Sequence, residues 1–194
     1  MSRALTRDEQ KSLIERCEGR FKLRNQVLIQ IGLLIGARIS ELLSLKFSDL
    51  VDESGRVRKS LKIIQLKKRK KAYRIIPLNQ ELVKPITRLF KKTGSNLDNF
   101  VFQSRNGENK PISRYMAHKL IKQLSEGMTE GISTHSLRKT FATGFYRLSK
   151  DILETSRILG HASTKTTELY LASDQEKINK TISKMSLTRQ KGAA

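Results

Sequence analysis

The chain has very little of what disulfide-linked and cysteine-ligated metal proteins depend on. Cys17 is the single cysteine among 194 residues, which excludes an intramolecular disulfide and a metal site built from several cysteines. Tryptophan is absent and aromatic residues make up only 6% of the chain, which argues against a stacking platform for single-stranded nucleic acid. The cysteine content is typical of a cytoplasmic protein.

Long hydrophobic runs are also missing. The most apolar segment, residues 27–35, is interrupted by Gln30 and Gly32 and is too short to cross a membrane. The first residues carry charges at Arg3 and Arg7 with no apolar stretch between them, so we expect no signal peptide. We therefore expect one domain in the cytoplasm, without a membrane partner.

Acidic residues are scarce compared with basic ones. The chain has 39 lysines and arginines against 18 aspartates and glutamates, a formal net charge of +21. The excess is concentrated in the middle, where residues 51–100 carry a net charge of +10. A basic middle on a mixed chain indicates a polyanionic partner, with nucleic acid as the first candidate. The alternative is a generally adhesive basic surface.

Apolar periodicity predicts a mainly α-helical domain. Thr6 and Glu9 predict a capping box at the start of the first helix. Residues 21–34 are apolar on nearly all sides, which predicts a second, buried helix that ends at Gly36. Further helices are expected to begin at the N-cap residues Asn79, Ser113, Thr134 and Asp151.

Two segments in the middle change to the period of β-strands. Residues 57–66 and 73–78 predict a β-hairpin, and residues 100–102 predict a short buried strand. The expected fold class is therefore mainly α with a small antiparallel sheet. The tip of the hairpin contains five consecutive basic residues, Lys67, Lys68, Arg69, Lys70 and Lys71. Because such charges repel one another without a counter-anion, we interpret the tip as a phosphate contact.

Charged and polar residues follow buried segments at three places. Arg38 comes directly after the most apolar helix, where Glu41 lies one helical turn away and could pair with it. His135 and Arg138 are three residues apart at a helix N-terminus, which favours anions such as phosphate. The alternatives are a structural Arg–Glu pair, a structural histidine and a surface cation.

The third place is the segment 159–171. Gly160 predicts the end of a helix at His161, and Tyr170 follows nine residues later. A tyrosine between two leucines is most often a core residue with a hydrogen-bonded hydroxyl. However, two arginines, two histidines, a lysine and a tyrosine suffice for tyrosine attack on a phosphodiester. The arginines would clamp the phosphate, and histidine and lysine would move protons, without a metal or other cofactor.

These motifs resemble the tyrosine recombinase, or phage integrase, family. The segment 37–42, Ala-Arg-Ile-Ser-Glu-Leu, is similar to the first arginine box of that family. The segment 135–138 is similar to its His-x-Leu-Arg box, and Leu-Gly-His at 159–161 followed by Tyr170 is similar to its nucleophile segment. The order of the motifs and the hairpin between the first two also fit, and the resemblance covers roughly residues 5–175. It implies the tyrosine recombinase catalytic-domain fold.

The resemblance also implies a role for each residue. Tyr170 would attack a DNA phosphate and form a 3′-phosphotyrosyl link. Arg38 and Arg138 would hold that phosphate, His135 would assist proton transfer from the tyrosine, and His161 would hydrogen-bond the phosphate. No metal, ATP or other cofactor would be needed.

A lysine of the hairpin would act as general acid toward the leaving 5′-oxygen. Lys68 is the first choice, because it lies nine residues before Pro77, and Lys67 and Lys70 remain alternatives. The other basic residues expected to contact DNA are Lys67, Arg69, Lys70, Lys71 and Lys139. Lys139 stands where the family often has a histidine.

The implied activity is site-specific DNA recombination by cleavage and rejoining. The rivals are a DNA-relaxing enzyme of the type IB topoisomerase kind and a non-catalytic DNA-binding relative. Expected partners are double-stranded DNA in the nucleoid, further copies of the chain as a dimer to tetramer on DNA, and an accessory DNA-bending or directionality protein.

The expected division is a catalytic domain over 1–173 and a C-terminal helix and tail over 174–194, which subunits could exchange. The family's usual N-terminal DNA-binding domain has no counterpart in this sequence. The chain is therefore expected to be either a catalytic fragment or a compact recombinase like the bacterial fimbrial-switch recombinases.

Overall fold

The computed structural model describes residues 2–64, 73–105, 109–161 and 167. These residues form eight α-helices and one two-stranded antiparallel sheet, which confirms the mainly α class predicted from periodicity. The helices are α1 (Arg7–Glu15), α2 (Lys22–Ile35), α3 (Ile39–Leu43), α4 (Phe47–Leu50), α5 (Val83–Lys92), α6 (Arg114–Leu124), α7 (Thr134–Ser149) and α8 (Ile152–Leu159). The strands are β1 (Ser60–Ile64) and β2 (Tyr73–Pro77), and a 3₁₀ turn, Gln80–Leu82, precedes α5. None of the helices in these ranges is long and apolar enough to cross a membrane.

The ends of several helices follow from local sequence chemistry. Thr6 caps α1 by accepting a hydrogen bond from the Glu9 backbone N–H, and the Glu9 carboxylate accepts one from the Thr6 N–H, which confirms the capping box. Gly36 ends α2 in the left-handed conformation with φ of 64°. Asp151 caps α8 by accepting from the N–H groups of Leu153 and Glu154, as predicted.

Helix α2 lies at the centre of the fold. One side of it packs with α3, α4, α5 and the hairpin, and the other side packs with α1, α6 and α7. This two-sided burial confirms the prediction made from its all-round apolar character. Helix α7 approaches α2 closely at Gly32, where an added Cβ would lie 2.8 Å from Cδ1 of Leu137. The close approach brings the end of α2 next to the first turns of α7.

The hairpin packs one face on this core. In the antiparallel register, Leu61 is opposite Ile76 and Ile63 is opposite Arg74, and these four residues are buried. The alternate residues are exposed, as the two-residue period of a strand requires. The predicted basic tip, Lys67–Lys71, lies outside the described residues.

Three sequence predictions about the elements are wrong in detail. Residues 100–102 do not form a strand. Phe100 pairs with Lys46 in an isolated bridge and residues 101–102 form a turn, because the backbone on either side of Val101 bonds to different segments near Lys46 and Pro111. Helix α7 is capped by Ser133, one residue before the predicted Thr134, and both residues carry the hydroxyl that capping needs. Strand β1 begins at residue 60 and not 57, because Val57 pairs instead with Val51 in an isolated bridge.

Candidate active site

Arg38 occupies the N-cap position of α3, directly after the turn that ends α2. Its Nη1 lies 3.0 Å from Oε1 of Glu41, and its backbone N–H donates to Oε2 of Glu41 at 2.8 Å. The predicted Arg–Glu pair is therefore confirmed. The Arg38 side chain is still 28% exposed, so its guanidinium group reaches the surface of the site although the residue is held by Glu41.

Glu41 is a carboxylate buried in the core, with a side chain only 2% exposed. Burial raises its pKa, but hydrogen bonds from Arg74 and from the Arg38 backbone, together with the two positive charges, outweigh burial and hold the pKa below its ordinary value. Glu41 is therefore a permanent anion at neutral pH. It fixes the arginines on either side of it.

Arg74 is a member of the site that was not predicted from the sequence. It lies on β2 and chelates Glu41, with Nη2 2.7 Å from Oε2 and Nη1 3.4 Å from Oε1. The sequence held a sign of this, because Arg74 lies two residues before Ile76 and so on the same, core-facing side of the strand. A charged residue at a core-facing position indicates a buried partner.

Arg138 is also buried, at 3% exposed, so its interpretation as a surface cation is wrong. It lies in the second turn of α7, and its guanidinium group bridges the ends of two other helices. Nη1 donates to the carbonyl oxygen of Gly36 at 2.7 Å, and Nη2 donates to that of Leu159 at 2.8 Å. Arg138 therefore ties the end of α2, next to Arg38, to the end of α8.

His161 follows immediately at the end of α8, where Gly160 adopts the left-handed conformation with φ of 68°. Its Nδ1 is 2.8 Å from Oγ1 of Thr167. Burial and, to a smaller extent, the positive charges of Arg138, Arg38 and Arg74 together lower the pKa of His161 to about 4. All three guanidinium groups therefore contribute positive charge to the surroundings of one imidazole.

Two other predicted residues lie on α7. His135 is exposed in the first turn of the helix, whereas Arg138 one turn later is buried. Lys139 is half-buried, and its Nζ donates to the carbonyl oxygen of Ser2 at 2.6 Å. The roles assigned to His135 in proton transfer and to Lys139 in DNA binding stay predictions.

The remaining predicted residues lie outside the described ranges. They are Tyr170 and the hairpin residues Lys67, Lys68, Arg69, Lys70 and Lys71. Within the described ranges, no three histidine, cysteine or acidic side chains lie together in a way that could hold a metal ion.

The described part of the site is suited to an anion. Three guanidinium groups and a single carboxylate leave it with an excess of positive charge, and His161 is neutral at physiological pH. Guanidinium groups bind phosphate oxygens in a bidentate manner and stay charged at any pH that a protein survives. The geometry can therefore hold a phosphate and stabilise extra negative charge on it.

Comparisons with known proteins agree with this chemistry. The model of the phage integrase family matches residues 3–177. The chain is 27% identical to the tyrosine recombinase XerH of Campylobacter jejuni, covering 90% of this chain and 49% of that protein. It is 31% identical to XerD of Halalkalibacterium halodurans, covering 88% and 57%. It is 32% identical to the probable integrase/recombinase YoeC of Bacillus subtilis, covering 79% and 80%.

Solved structures show the same fold. The XerA recombinase matches with a TM-score of 0.77 and 27% identity over 97% of this chain and 67% of that one. The catalytic domain of the bacteriophage HP1 integrase matches with a TM-score of 0.60 and 20% identity over 99% of this chain and all of that one. The chain spans about half the length of the first two relatives. The predicted tyrosine recombinase catalytic-domain fold is confirmed, and the chain belongs to the phage integrase family.

Proposed function

We propose that this chain is the DNA-cleaving and DNA-rejoining domain of a site-specific tyrosine recombinase. The observation that carries the proposal is the bridge that Arg138 makes between distant parts of the sequence. Its guanidinium group bonds to Gly36, two residues before Arg38, and to Leu159, two residues before His161. A site with excess positive charge, in a chain that matches the phage integrase model over residues 3–177, is suited to phosphoryl transfer.

The proposed reaction exchanges one phosphodiester for another. The Tyr170 oxygen attacks the scissile phosphorus, and its proton passes to His135. The new bond joins phosphorus to the tyrosine oxygen, and the bond from phosphorus to the 5′-oxygen breaks. Lys68 gives a proton to that 5′-oxygen, which leaves as a 5′-hydroxyl and leaves a 3′-phosphotyrosyl link. Rejoining is the reverse, so bond energy is conserved and no ATP is consumed.

The arginines supply the electrostatic part of this reaction. Arg38 presents a partly exposed guanidinium group, and Glu41 holds the backbone N–H of the same residue. Arg138 is oriented by two carbonyl oxygens, which hold the plane of its guanidinium group in one direction. Donors that are fixed before the substrate arrives stabilise developing charge without reorganising, and in many enzymes this effect contributes most of the rate enhancement.

His161 is proposed to hydrogen-bond the phosphate as a neutral ring. With its pKa lowered to about 4, the imidazole is uncharged over the pH range in which DNA-processing enzymes work. It can therefore donate or accept a hydrogen bond without adding another positive charge to three arginines. A phosphate anion at the site would offset part of their charge.

The partner is proposed to be double-stranded DNA, held by the excess of basic residues. Its relative XerH has been crystallised with its difH substrate in a post-cleavage complex, and the two chains share the fold with a TM-score of 0.73. We further propose that the chain acts on DNA at the nucleoid as a dimer to tetramer, with residues 174–194 exchanged between subunits. An accessory DNA-bending or directionality protein would select the direction of recombination.

The test is covalent capture of DNA. A nicked substrate that loses its 5′ fragment after cleavage should trap the wild-type protein as a DNA adduct. Tyr170→Phe should abolish the adduct and leave DNA binding nearly unchanged, because only the nucleophilic oxygen is removed. Tyr115→Phe is the matched control, since Tyr115 is an exposed tyrosine of α6.

Adducts that persist in Tyr170→Phe would contradict the assignment of the nucleophile. A wild-type protein that binds DNA without ever forming an adduct would overturn the proposed function in favour of a non-catalytic relative. Plasmids with two sites separate recombination, which changes the order of segments, from simple relaxation of supercoils.

A further inference from the structure

Arg74 carries a charge at a core-facing position that an apolar side chain would normally occupy. It faces the core from β2, beside Ile76 and opposite Ile63, and its side chain is only 7% exposed. An aliphatic residue at this position would pack on the core without removing a charge from water. A role in packing alone therefore does not account for an arginine here.

The contacts of Arg74 lead to Arg38. Arg74 holds both oxygens of Glu41, and the same two oxygens accept from the side chain and the backbone of Arg38. The carboxylate is thus fixed from both sides. Without Arg74, Glu41 would keep its bonds to Arg38 but would lose the partner that sets the direction of its carboxylate plane.

Arg74 is also coupled electrostatically to the site. Its charge acts on His161 together with the charges of Arg38 and Arg138. Its Nε is buried and has no hydrogen-bond partner among the described residues. A buried donor without a partner costs free energy, which an arginine serving only in a structural ion pair would avoid by better geometry. The strand that carries Arg74 continues directly from the hairpin tip that contains the proposed general acid.

We propose that Arg74 is a positioning residue for DNA cleavage, which fixes the guanidinium group of Arg38 against the scissile phosphate through the shared carboxylate of Glu41. The inference rests on the proposed function. Two simpler roles compete with it. Arg74 could only hold the hairpin on the core, or it could act through the general acid Lys68 at the hairpin tip.

The first experiment measures the rate of adduct formation on the nicked substrate at saturating DNA. Arg74→Gln should lower this rate by about 10-fold to 100-fold, since a small displacement of a catalytic group costs on this order. The DNA concentration for half-maximal rate should stay nearly unchanged, because losing an interaction made only in the transition state lowers the maximal rate and does not weaken binding of the ground state. Arg74→Lys should recover part of the rate, because it keeps the charge but not the two-point contact.

Arg88→Gln is the matched control, since Arg88 is an exposed arginine of α5, and its rate should equal that of the wild type. Thermal unfolding monitors the fold of each variant. If Arg74→Gln leaves Glu41 too poorly paired to fold, the double variant Glu41→Gln with Arg74→Gln removes both charges together. It should show the same loss of rate as a folded protein, because Arg38 again lacks its fixed partner.

Two modified substrates separate the three roles. In a methylphosphonate at the scissile position a methyl group replaces one non-bridging oxygen, so the linkage is neutral and needs a fixed Arg38 less. On this substrate the ratio of wild-type to Arg74→Gln rates should shrink to less than half of its normal value. A sulfur in place of the 5′-bridging oxygen needs no general acid, and on this substrate the ratio should stay unchanged.

The outcomes are distinct. An Arg74→Gln rate equal to the wild-type rate overturns the inference and leaves the proposed function intact. An equal loss on charged and neutral phosphates assigns Arg74 to the fold alone, and rescue by the 5′-sulfur assigns it to the general acid. Either result overturns the inference. A wild-type protein without adducts overturns the proposed function, and the role of Arg74 in cleavage falls with it.

Discussion

Two buried arginines of the candidate site are held in opposite ways. Arg74 donates to a carboxylate, that of Glu41, which it shares with the more exposed Arg38. Arg138 donates to backbone carbonyl oxygens of Gly36 and Leu159. A carboxylate neutralises charge and couples two side chains, whereas a carbonyl dipole orients a guanidinium group and leaves its charge in place. The site therefore combines a half held by a shared carboxylate with a half held by backbone carbonyl groups.

The backbone half has a structural consequence. Gly36 is the residue that ends α2, and Leu159 is the last residue of α8. Carbonyl groups at helix C-termini have no partner within their own helix and carry the negative end of the helix dipole. One side chain of α7 thus satisfies the ends of two other helices. Arg138 joins three helices at one point, while the Glu41 cluster, defined as Arg38, Glu41 and Arg74, joins α3 to the hairpin.

The largest effect is expected from removing the shared anion. Glu41→Gln leaves two arginines facing a neutral amide in the core, and breaking one side of a buried ion pair costs about 3–5 kcal/mol of unfolding free energy. Glu15→Gln is the control, because its pair with Lys11 is exposed and should change stability by less than about 0.5 kcal/mol. Urea unfolding of both variants measures the difference. A loss below about 1 kcal/mol for Glu41→Gln would show that the carboxylate is not what holds the two arginines together.

A smaller loss is expected from Arg138→Lys. An ammonium group keeps the charge but cannot reach two carbonyl oxygens that a planar guanidinium spans. We expect a loss of about 1.5–3 kcal/mol from one charged hydrogen bond, and cleavage about 100-fold or more slower from the loss of a fixed donor. Unfolding and adduct formation are measured on the same preparation.

Arg157→Lys is the control for this substitution, because Arg157 is an exposed arginine of α8. It should leave both stability and cleavage unchanged. If Arg138→Lys were as stable as the wild type, the two carbonyl contacts would not be what joins the three helices, and the contrast between the two halves would fail.

The two halves also differ in how far the sequence reveals them. Thr6, Gly36 and Asp151 mark helix ends through local chemistry, so those ends could be predicted. The pair of Arg38 and Glu41 could be predicted as well, because its partners lie one turn apart. Local chemistry acts over a few residues, and prediction succeeds within that range.

Contacts between distant segments could not be predicted in the same way. Glu41 and Arg74 meet only because α3 and β2 pack into the same core, and the position of Arg74 on the core-facing side of β2 was the one local sign of it. The partners of Arg138 are backbone carbonyl groups, so no side chain in the sequence marks them. The apolar residues 100–102 fit a strand or a buried turn equally well, and only their backbone partners decide between the two.

The smallest expected effect is the pH dependence of stability that His161 causes, because arginines of both halves help to lower the pKa of its imidazole. Its pKa is lowered to about 4 from 6.5, first by burial and then by Arg138, Arg38 and Arg74. The unfolded chain therefore binds a proton on this ring at a pH where the folded chain does not. By linkage, stability is full above pH 6.5 and is lost as the pH falls from about 6.5 toward about 4.

The full shift would correspond to about 3 kcal/mol, but His161 is only half-buried and solvent screens it, so we expect no more than about 1 kcal/mol. In full this is a fall of about 2–4 °C in Tm, and roughly half of it is expected between pH 7 and pH 5. Glu9 and Asp52, each with a pKa of about 2, make their contribution at lower pH and do not interfere. His161→Gln should remove the fall, and His118→Gln, at an exposed position of α6, should keep it. A wild-type Tm that is flat over this range would show that burial and the arginines together do not lower the pKa of His161.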